Sequence, residues 1–80
     1  MKVQIFGKGC SRCRKLEANT KKAIQELGIQ AEVEKVQDMR EFSKFGVMMT
    51  PALAIDGKVK CSGEVASSEK IKEWLKEEVQ

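Results

Sequence analysis

Two of the three cysteines lie close together, at positions 10 and 13, within the segment GKGCSRC of residues 7–13. Residues 3–6 before it form a short apolar run with β-branched members, which predicts a buried strand. Residues 11–27 after it place apolar side chains three or four apart, which predicts an amphipathic helix of about four turns. A C-x-x-C motif between a strand and a helix is typical of either a dithiol redox centre or a soft-metal site.

Length and composition restrict the functions that are open to this chain. Its 80 residues, 41% hydrophobic and 34% charged, predict a single folded domain over residues 1–80. The net charge of +3 is mild and the basic residues are interspersed with glutamates, so we expect no nucleic-acid binding. No apolar run approaches the roughly 18 residues of a membrane-spanning helix, and residues 1–6 are too short for a secretory signal. We therefore expect a cytoplasmic protein without membrane association, and in the reducing cytosol a C-x-x-C is more often catalytic or metal-binding than structural.

The middle of the chain predicts a second strand and a second helix. Residues 29–36 alternate apolar and polar, which predicts a half-buried strand that ends near Lys35, because the next residue breaks the alternation. Asp38 and Glu41 have the spacing of a capping box and Gly46 that of a helix stop, so a short helix is expected between them. Its predicted buried face consists of Met39, Phe42 and Phe45.

Residues 52–61 predict a β-hairpin. The Asp-Gly pair at 56–57 suits a type I′ turn, because both central positions of that turn require positive φ. With this pair at the centre, Leu53 is expected to face Lys60 and Ala52 to face Cys61. Lysines on the second strand would discourage further pairing at an exposed sheet edge.

A last helix completes the pattern, capped by Ser67 or Ser68 and buried through Ile71, Trp74 and Leu75. The element order is then β-α-β-α-β-β-α. The first three elements form a right-handed parallel unit, and the hairpin extends the same sheet antiparallel. The sequence therefore predicts an α/β fold, with a four-stranded mixed sheet flanked by three helices.

This order, with C-x-x-C after the first strand and Thr50-Pro51 before the third, resembles the thioredoxin fold in its smallest, glutaredoxin-sized form. The chain is most similar to the short thioredoxin-like redox-active disulfide proteins, and the resemblance covers nearly its whole length. The motifs that carry it are GKGCSRC at 7–13, PALAIDG at 51–57 and GEVAS at 63–67. A C-x-x-C alone is a weak signal, whereas Thr-Pro at this place makes it a strong one.

The resemblance implies roles for the two neighbouring cysteines. Cys10 would be the exposed nucleophile and Cys13 the buried resolving thiol of a redox-active disulfide, with no other cofactor and no metal. The implied activity is reduction or exchange of protein disulfides through a mixed-disulfide intermediate. The implied partners are protein disulfide substrates and an unidentified reductase, and we expect the protein to be a monomer.

The resemblance also implies a substrate-docking surface. The Thr50–Pro51 peptide bond would be cis, and the loop of Met49, Thr50 and Pro51 would lie against the cysteines. Such a loop offers backbone groups to an extended substrate chain. Gly63 is expected to belong to the same surface.

The residues around Cys10 predict a lowered thiol pKa. A free cysteine titrates near ~8.5, whereas the N–H groups and dipole at a helix N-terminus favour the thiolate. Lys8 and Arg12 add positive charge nearby, so both residues are candidates for tuning this pKa.

Two alternatives use the same motif. A soft-metal, copper-type chaperone of the ferredoxin-like class also places C-x-x-C between a first strand and a first helix, but its chain ends on a strand. A glutathione-dependent glutaredoxin is compatible with Thr50-Pro51, although residues 62–64 resemble its γ-glutamyl pocket poorly. For Cys61 we expect a small buried hydrophobic side chain, with a third redox-sensitive thiol as the alternative.

Overall fold

A computed structural model describes residues 1–7 and 11–79, and its elements follow the predicted order. The α/β prediction is therefore confirmed. None of the helices in the described ranges is both long and apolar enough to cross a membrane. The element bounds are β1 Lys2–Phe6, α1 Ser11–Leu27, β2 Glu32–Val36, α2 Met39–Lys44, β3 Ala52–Ile55, β4 Lys58–Ser62 and α3 Ser68–Val79.

The four strands form one mixed sheet in the order β2-β1-β3-β4. β1 pairs parallel with β2 and antiparallel with β3, and β3 pairs antiparallel with β4. Pairs Phe6–Val36, Phe6–Ala52 and Ala52–Ser62 align across the sheet at one end, which we call the motif edge. Gly7, the segments that precede α2 and β3, and the segment that follows β4 all lie next to this edge.

Hydrophobic side chains cover both faces of the sheet. Because successive strand residues point to opposite faces, Ile5 and Leu53 join the larger core with α1 and α3, whereas Phe6 joins a smaller one with α2. In the smaller core the Phe6 and Phe42 rings pack edge to face, 5.7 Å between centroids. All four residues of β3 are buried, as expected for a central strand covered on both sides.

The second strand is shorter than predicted and ends later. It covers Glu32–Val36, whereas a strand from residue 29 to about Lys35 was predicted, and Val36 is buried in the smaller core. Val33 lies on the opposite face of the strand and packs against the larger core. The alternation therefore breaks at Val36 because apolar side chains of β2 pack on both faces of the sheet, not because the strand ends there. The Val36 carbonyl also accepts a hydrogen bond from the Gly7 N–H at 3.0 Å.

The hairpin turn is as predicted, but the register beyond it is not. Asp56 has φ 50° and Gly57 φ 85°, as a type I′ turn requires. A β-bulge then shifts the pairing, so Cys61 faces Leu53 rather than Ala52. The bulge places Lys60 against α3, where its side chain is only 16% exposed and binds Glu78 at 2.9 Å. The sequence predicts Lys60 on an exposed sheet edge. That prediction is wrong, because the side chain is largely covered by α3.

The helices start close to their predicted caps. α1 covers the predicted residues 11–27, with Ser11 as its first residue. Asp38 caps α2 by accepting from the Arg40 N–H, and Ser67 caps α3 by accepting from the Lys70 N–H.

The predicted buried face of α2 is only partly correct. Phe42 is buried, but Met39 is 62% exposed. The helix has only six residues, and Glu41 binds Lys44 in its last turn instead of completing the capping box. In α3 the predicted Ile71 and Leu75 are fully buried, whereas Trp74 is half-buried against the larger core.

Candidate active site

Cys13 lies in the first turn of α1 and is 6% exposed. It packs directly on Gly7, the residue that follows β1. A Cβ atom on Gly7 would overlap the Cys13 Sγ and lie 3.2 Å from its Cβ. Glycine at position 7 therefore allows the first turn of α1 to close against the end of β1.

The predicted docking loop lies at the motif edge, directly before β3. The Thr50–Pro51 peptide bond is cis, as the resemblance implied. Pro51 is fully buried, whereas Met49 is 64% exposed and Thr50 is also exposed. Met48, next to them, is 93% exposed, so this end of the molecule carries two solvent-facing thioether side chains.

The turn after β4 is bound to this loop. The Gly63 N–H donates to the Pro51 carbonyl at 2.8 Å, and the Ser62 hydroxyl donates to the Met49 carbonyl at 3.0 Å. Gly63 has φ 80°, and a Cβ there would lie 3.0 Å from the Met49 Cβ. The positive φ and the close approach of Met49 therefore both favour glycine at this position.

Arg12 forms the third contact of this turn, which the sequence did not suggest. Its Nη2 donates to the Gly63 carbonyl at 3.1 Å, although the side chain as a whole is exposed. Further along α1, the Asn19 side-chain amide donates to the Ala66 carbonyl at 2.9 Å. Together these bonds hold α1 to the β4–α3 connection, over a sequence separation that local patterns cannot reveal.

The structure thus brings Cys13, Arg12, Met49, Thr50, Pro51 and Gly63 to one end of the molecule. The predicted nucleophile Cys10 and the predicted tuning residue Lys8 lie outside the described residues. Their roles, and the effect of Arg12 on the pKa of Cys10, therefore stay predictions.

Glu17, one helical turn after Cys13, is a residue that the sequence interpretation missed. Its side chain is 15% exposed and binds Lys35 of β2 and Lys21 of α1, each at 3.3 Å. Burial raises the pKa of this carboxyl, but the hydrogen bonds from Lys35 and Lys21 outweigh burial and lower it. The ionised carboxylate holds the start of α1 against β2.

Cys61 is buried as predicted, 7% exposed, inside the larger core. Burial raises the pKa of its thiol to about 11, and the negative charge of Glu64 acts in the same direction. A hydrogen bond from the Leu53 backbone opposes these effects only partly. The thiol therefore stays protonated at neutral pH.

The described residues contain no group of three or more histidine, cysteine or acidic side chains arranged to hold a metal ion. Cys10 is not among those residues, so a site made of the C-x-x-C cysteines alone stays an alternative. A surface depression of about 560 Å³ lies at the other end of the sheet and takes no part in the candidate site. It is lined by Met1, Lys2, Gln30, Ala31, Glu32 and Asp56.

A mixed four-stranded sheet with a helix-start cysteine, a cis-proline loop and a glycine turn at one edge defines the thioredoxin-like class. The family model described as "Thioredoxin domain" matches residues 1–76. A protein named thioredoxin from Methanothermobacter thermautotrophicus is 48% identical over 75 residues, which cover 94% of this chain and 97% of the relative. Another thioredoxin, from Methanocaldococcus jannaschii, is 45% identical over 74 residues, which cover 92% of this chain and 85% of the relative.

The chain therefore belongs to the thioredoxin family, whose members are thiol-disulfide oxidoreductases. This confirms the resemblance proposed from the sequence. The family membership also favours oxidoreductase activity over the metal-chaperone alternative.

Proposed function

We propose that the protein reduces or exchanges protein disulfides through a Cys10–Cys13 couple. The observation that carries the proposal is the position of Cys13, buried in the first turn of α1 and packed on Gly7 at the motif edge. A thiol at that position is shielded from substrates in solution. It lies three residues from Cys10 in the sequence, which suits a resolving thiol. The family membership supports the reaction class.

In the proposed cycle, the Cys10 thiolate attacks one sulfur of a substrate disulfide. A bond forms between Cys10 and that sulfur, the substrate S–S bond breaks, and the second substrate sulfur leaves as a thiolate that takes up a proton. Cys13 then loses its proton and attacks the Cys10 sulfur. The substrate leaves as a dithiol, and the protein, having given up two electrons, retains the Cys10–Cys13 disulfide.

We propose that the loop of Met49, Thr50 and Pro51, together with Gly63, docks the substrate chain. The loop residues 49 and 50 are exposed, and hydrogen bonds from Gly63 and Ser62 hold the loop in place. A preformed loop lowers the ordering cost of substrate binding.

The proposed setting is the cytoplasm, where reducing conditions suit a couple that cycles. A reductase of unidentified type would return the Cys10–Cys13 disulfide to the dithiol, and no further cofactor is required. We propose that the protein works as a monomer.

The test is single-turnover reaction of the reduced protein with a disulfide substrate such as insulin, followed by mass spectrometry. Cys10→Ser is expected to abolish reduction, because the attacking thiolate is lost. Cys13→Ser is expected to accumulate the mixed disulfide, because nothing resolves it. Cys61→Ala serves as the matched control and is expected to react like the unchanged protein.

Two results would contradict the proposal. One is undiminished insulin reduction by Cys10→Ser. The other is tight stoichiometric Cu(I) binding by the unchanged protein without any disulfide exchange, which would favour the soft-metal alternative.

A further inference from the structure

The Arg12 side chain reaches from α1 to the turn after β4, where the Gly63 carbonyl accepts from its Nη2 at 3.1 Å. A guanidinium group carries five N–H donors in one plane. The bond to Gly63 uses one of them and holds that edge of the guanidinium against the turn. The side chain is otherwise exposed, so donors remain available to a ligand that approaches from solvent.

The group that anchors Arg12 is itself bound to the proposed docking loop. Gly63 donates to Pro51 at 2.8 Å and contacts Met49, whose carbonyl is also held by Ser62. The guanidinium is therefore tethered close to the loop that would receive a substrate chain. A charged group whose motion is already restricted binds a ligand at a lower entropic cost than a fully mobile one.

The charges around Arg12 leave it able to bind an anion. Arg14 and Lys15 follow it on exposed positions of α1, and Glu64 is the acidic residue in the turn. The ion pairs between described residues do not include Arg12. The start of α1 thus presents an excess of positive charge beside the docking loop.

We infer that Arg12 is a specificity residue that selects disulfide substrates with a carboxylate side chain next to the reacting cysteine. The carboxylate would accept from the guanidinium donors that Gly63 leaves available, and a planar guanidinium matches a carboxylate better than an ammonium does. The inference rests on the proposed function and names a substrate class for it. The partner is an acidic peptide segment around a disulfide.

The experiment uses two model substrates that differ only in charge. Each is a disulfide-linked homodimer of a short blocked peptide, with glutamate beside the cysteine in one and glutamine in the other. The rate of each peptide with the reduced protein is divided by its rate with dithiothreitol, which corrects for the effect of the neighbouring charge on the disulfide itself. The ratio of the two corrected rates measures preference.

We expect the protein to prefer the glutamate peptide about five-fold at low ionic strength, the upper range for an exposed charge pair. The preference should fall as salt is added. Arg12→Gln is expected to bring it close to one. Arg12→Lys is expected to lose more than half of it, because the charge stays but the planar group is lost. The matched control is Arg14→Gln on the same helix, which should keep most of the preference.

The results separate the two levels of the proposal. Reaction with neither peptide would contradict the proposed function and this inference with it. Reaction with both at equal corrected rates, or an unchanged preference in Arg12→Gln, would overturn the inference and leave the proposed function standing. An equal loss in Arg12→Gln and Arg14→Gln would also overturn it, because general positive charge would then explain the preference. Any effect of Arg12 on the pKa of Cys10 cancels in the ratio.

Discussion

Cys13 and Cys61 are buried to nearly the same extent, 6% and 7% exposed, yet their surroundings differ. Cys13 lies at a helix start, packed on a glycine at the motif edge. Cys61 lies in β4, opposite Leu53 and one residue pair inward from that edge, within the larger core. Burial in the core raises the pKa of Cys61 to about 11.

Under the proposed function, in which Cys13 exchanges and Cys61 does not, burial alone does not decide which thiol reacts. A thiol inside an apolar core stays protonated and closed to substrate, which suits a packing role. Cys13 instead lies at a helix start, where it packs on the glycine that follows β1. Four predictions test whether the two cysteines differ in this way.

The largest expected effect concerns the reactivity of Cys61. In a Cys10→Ser, Cys13→Ser protein, Cys61 is the remaining thiol. Its pKa is about 11, against an ordinary value of 9.0. At neutral pH the folded protein therefore holds about a hundred-fold less Cys61 thiolate than the unfolded chain does. Alkylation by iodoacetamide should therefore be at least about a hundred-fold slower in the folded protein than in concentrated guanidinium. Rates within ten-fold of each other would show that Cys61 is as available as an ordinary thiol.

The second prediction concerns the glycine under Cys13. Gly7→Ala is expected to lower the free energy of unfolding by about 3 kcal/mol, because the new methyl group overlaps the Cys13 sulfur. The matched control is Gly28→Ala, where a Cβ meets nothing within 4 Å and only the positive φ of 65° is unfavourable. That change should cost about 1 kcal/mol. Both variants are measured by denaturant unfolding. Equal losses of unfolding free energy in Gly7→Ala and Gly28→Ala would contradict a special role of Gly7.

The third prediction is a pH dependence caused by Cys61. Because its pKa is raised in the folded protein, the folded state holds the thiol proton more tightly than the unfolded chain does. This stabilisation is complete below pH 9.0 and is lost as the pH rises towards about 11. Over that interval the free energy of unfolding should fall by about 2 kcal/mol more than in Cys61→Ala. Parallel curves for the two proteins would contradict the buried, protonated thiol.

The smallest expected effect tests how the helix of Cys13 is held to the sheet. Glu17→Gln should cost about 1 kcal/mol at neutral pH, because it removes the partly buried pair with Lys35. The pKa of Glu17 is lowered in the folded state, so this stabilisation is present above its ordinary pKa of 4.5 and is lost as pH falls further. The difference between the two proteins should then shrink in acid. Glu41→Gln, in an exposed pair with Lys44, is the control and should cost less at every pH.

Sequence periodicity and turn chemistry predicted most of the fold. α1 has its predicted bounds because its apolar stripe and the glycine at 28, with φ 65°, are both local signals. The hairpin turn follows from Asp56-Gly57 in the same way. The end of β2 lies one residue after the predicted Lys35. Val36 breaks the alternation because helices cover both faces of the sheet, which alternation within one strand does not indicate.

The candidate site was only partly predictable. The C-x-x-C, the Thr-Pro and the glycine turn are short motifs, so their positions could be identified from the sequence. The bond from Arg12 to Gly63 joins residues 51 positions apart, and no local pattern indicates it. The same is true of the Glu17–Lys35 pair between α1 and β2.

The sequence by itself determined the order of elements, the family and the pair of cysteines that define the proposed chemistry, because each depends on motifs a few residues long. Tertiary structure decided what surrounds each thiol. The β-bulge pairs Cys61 with Leu53. Gly7, which has no Cβ, allows Cys13 to pack against the end of β1. Pairing registers and close contacts of this kind depend on how separate elements meet, which the order of residues within one element does not specify.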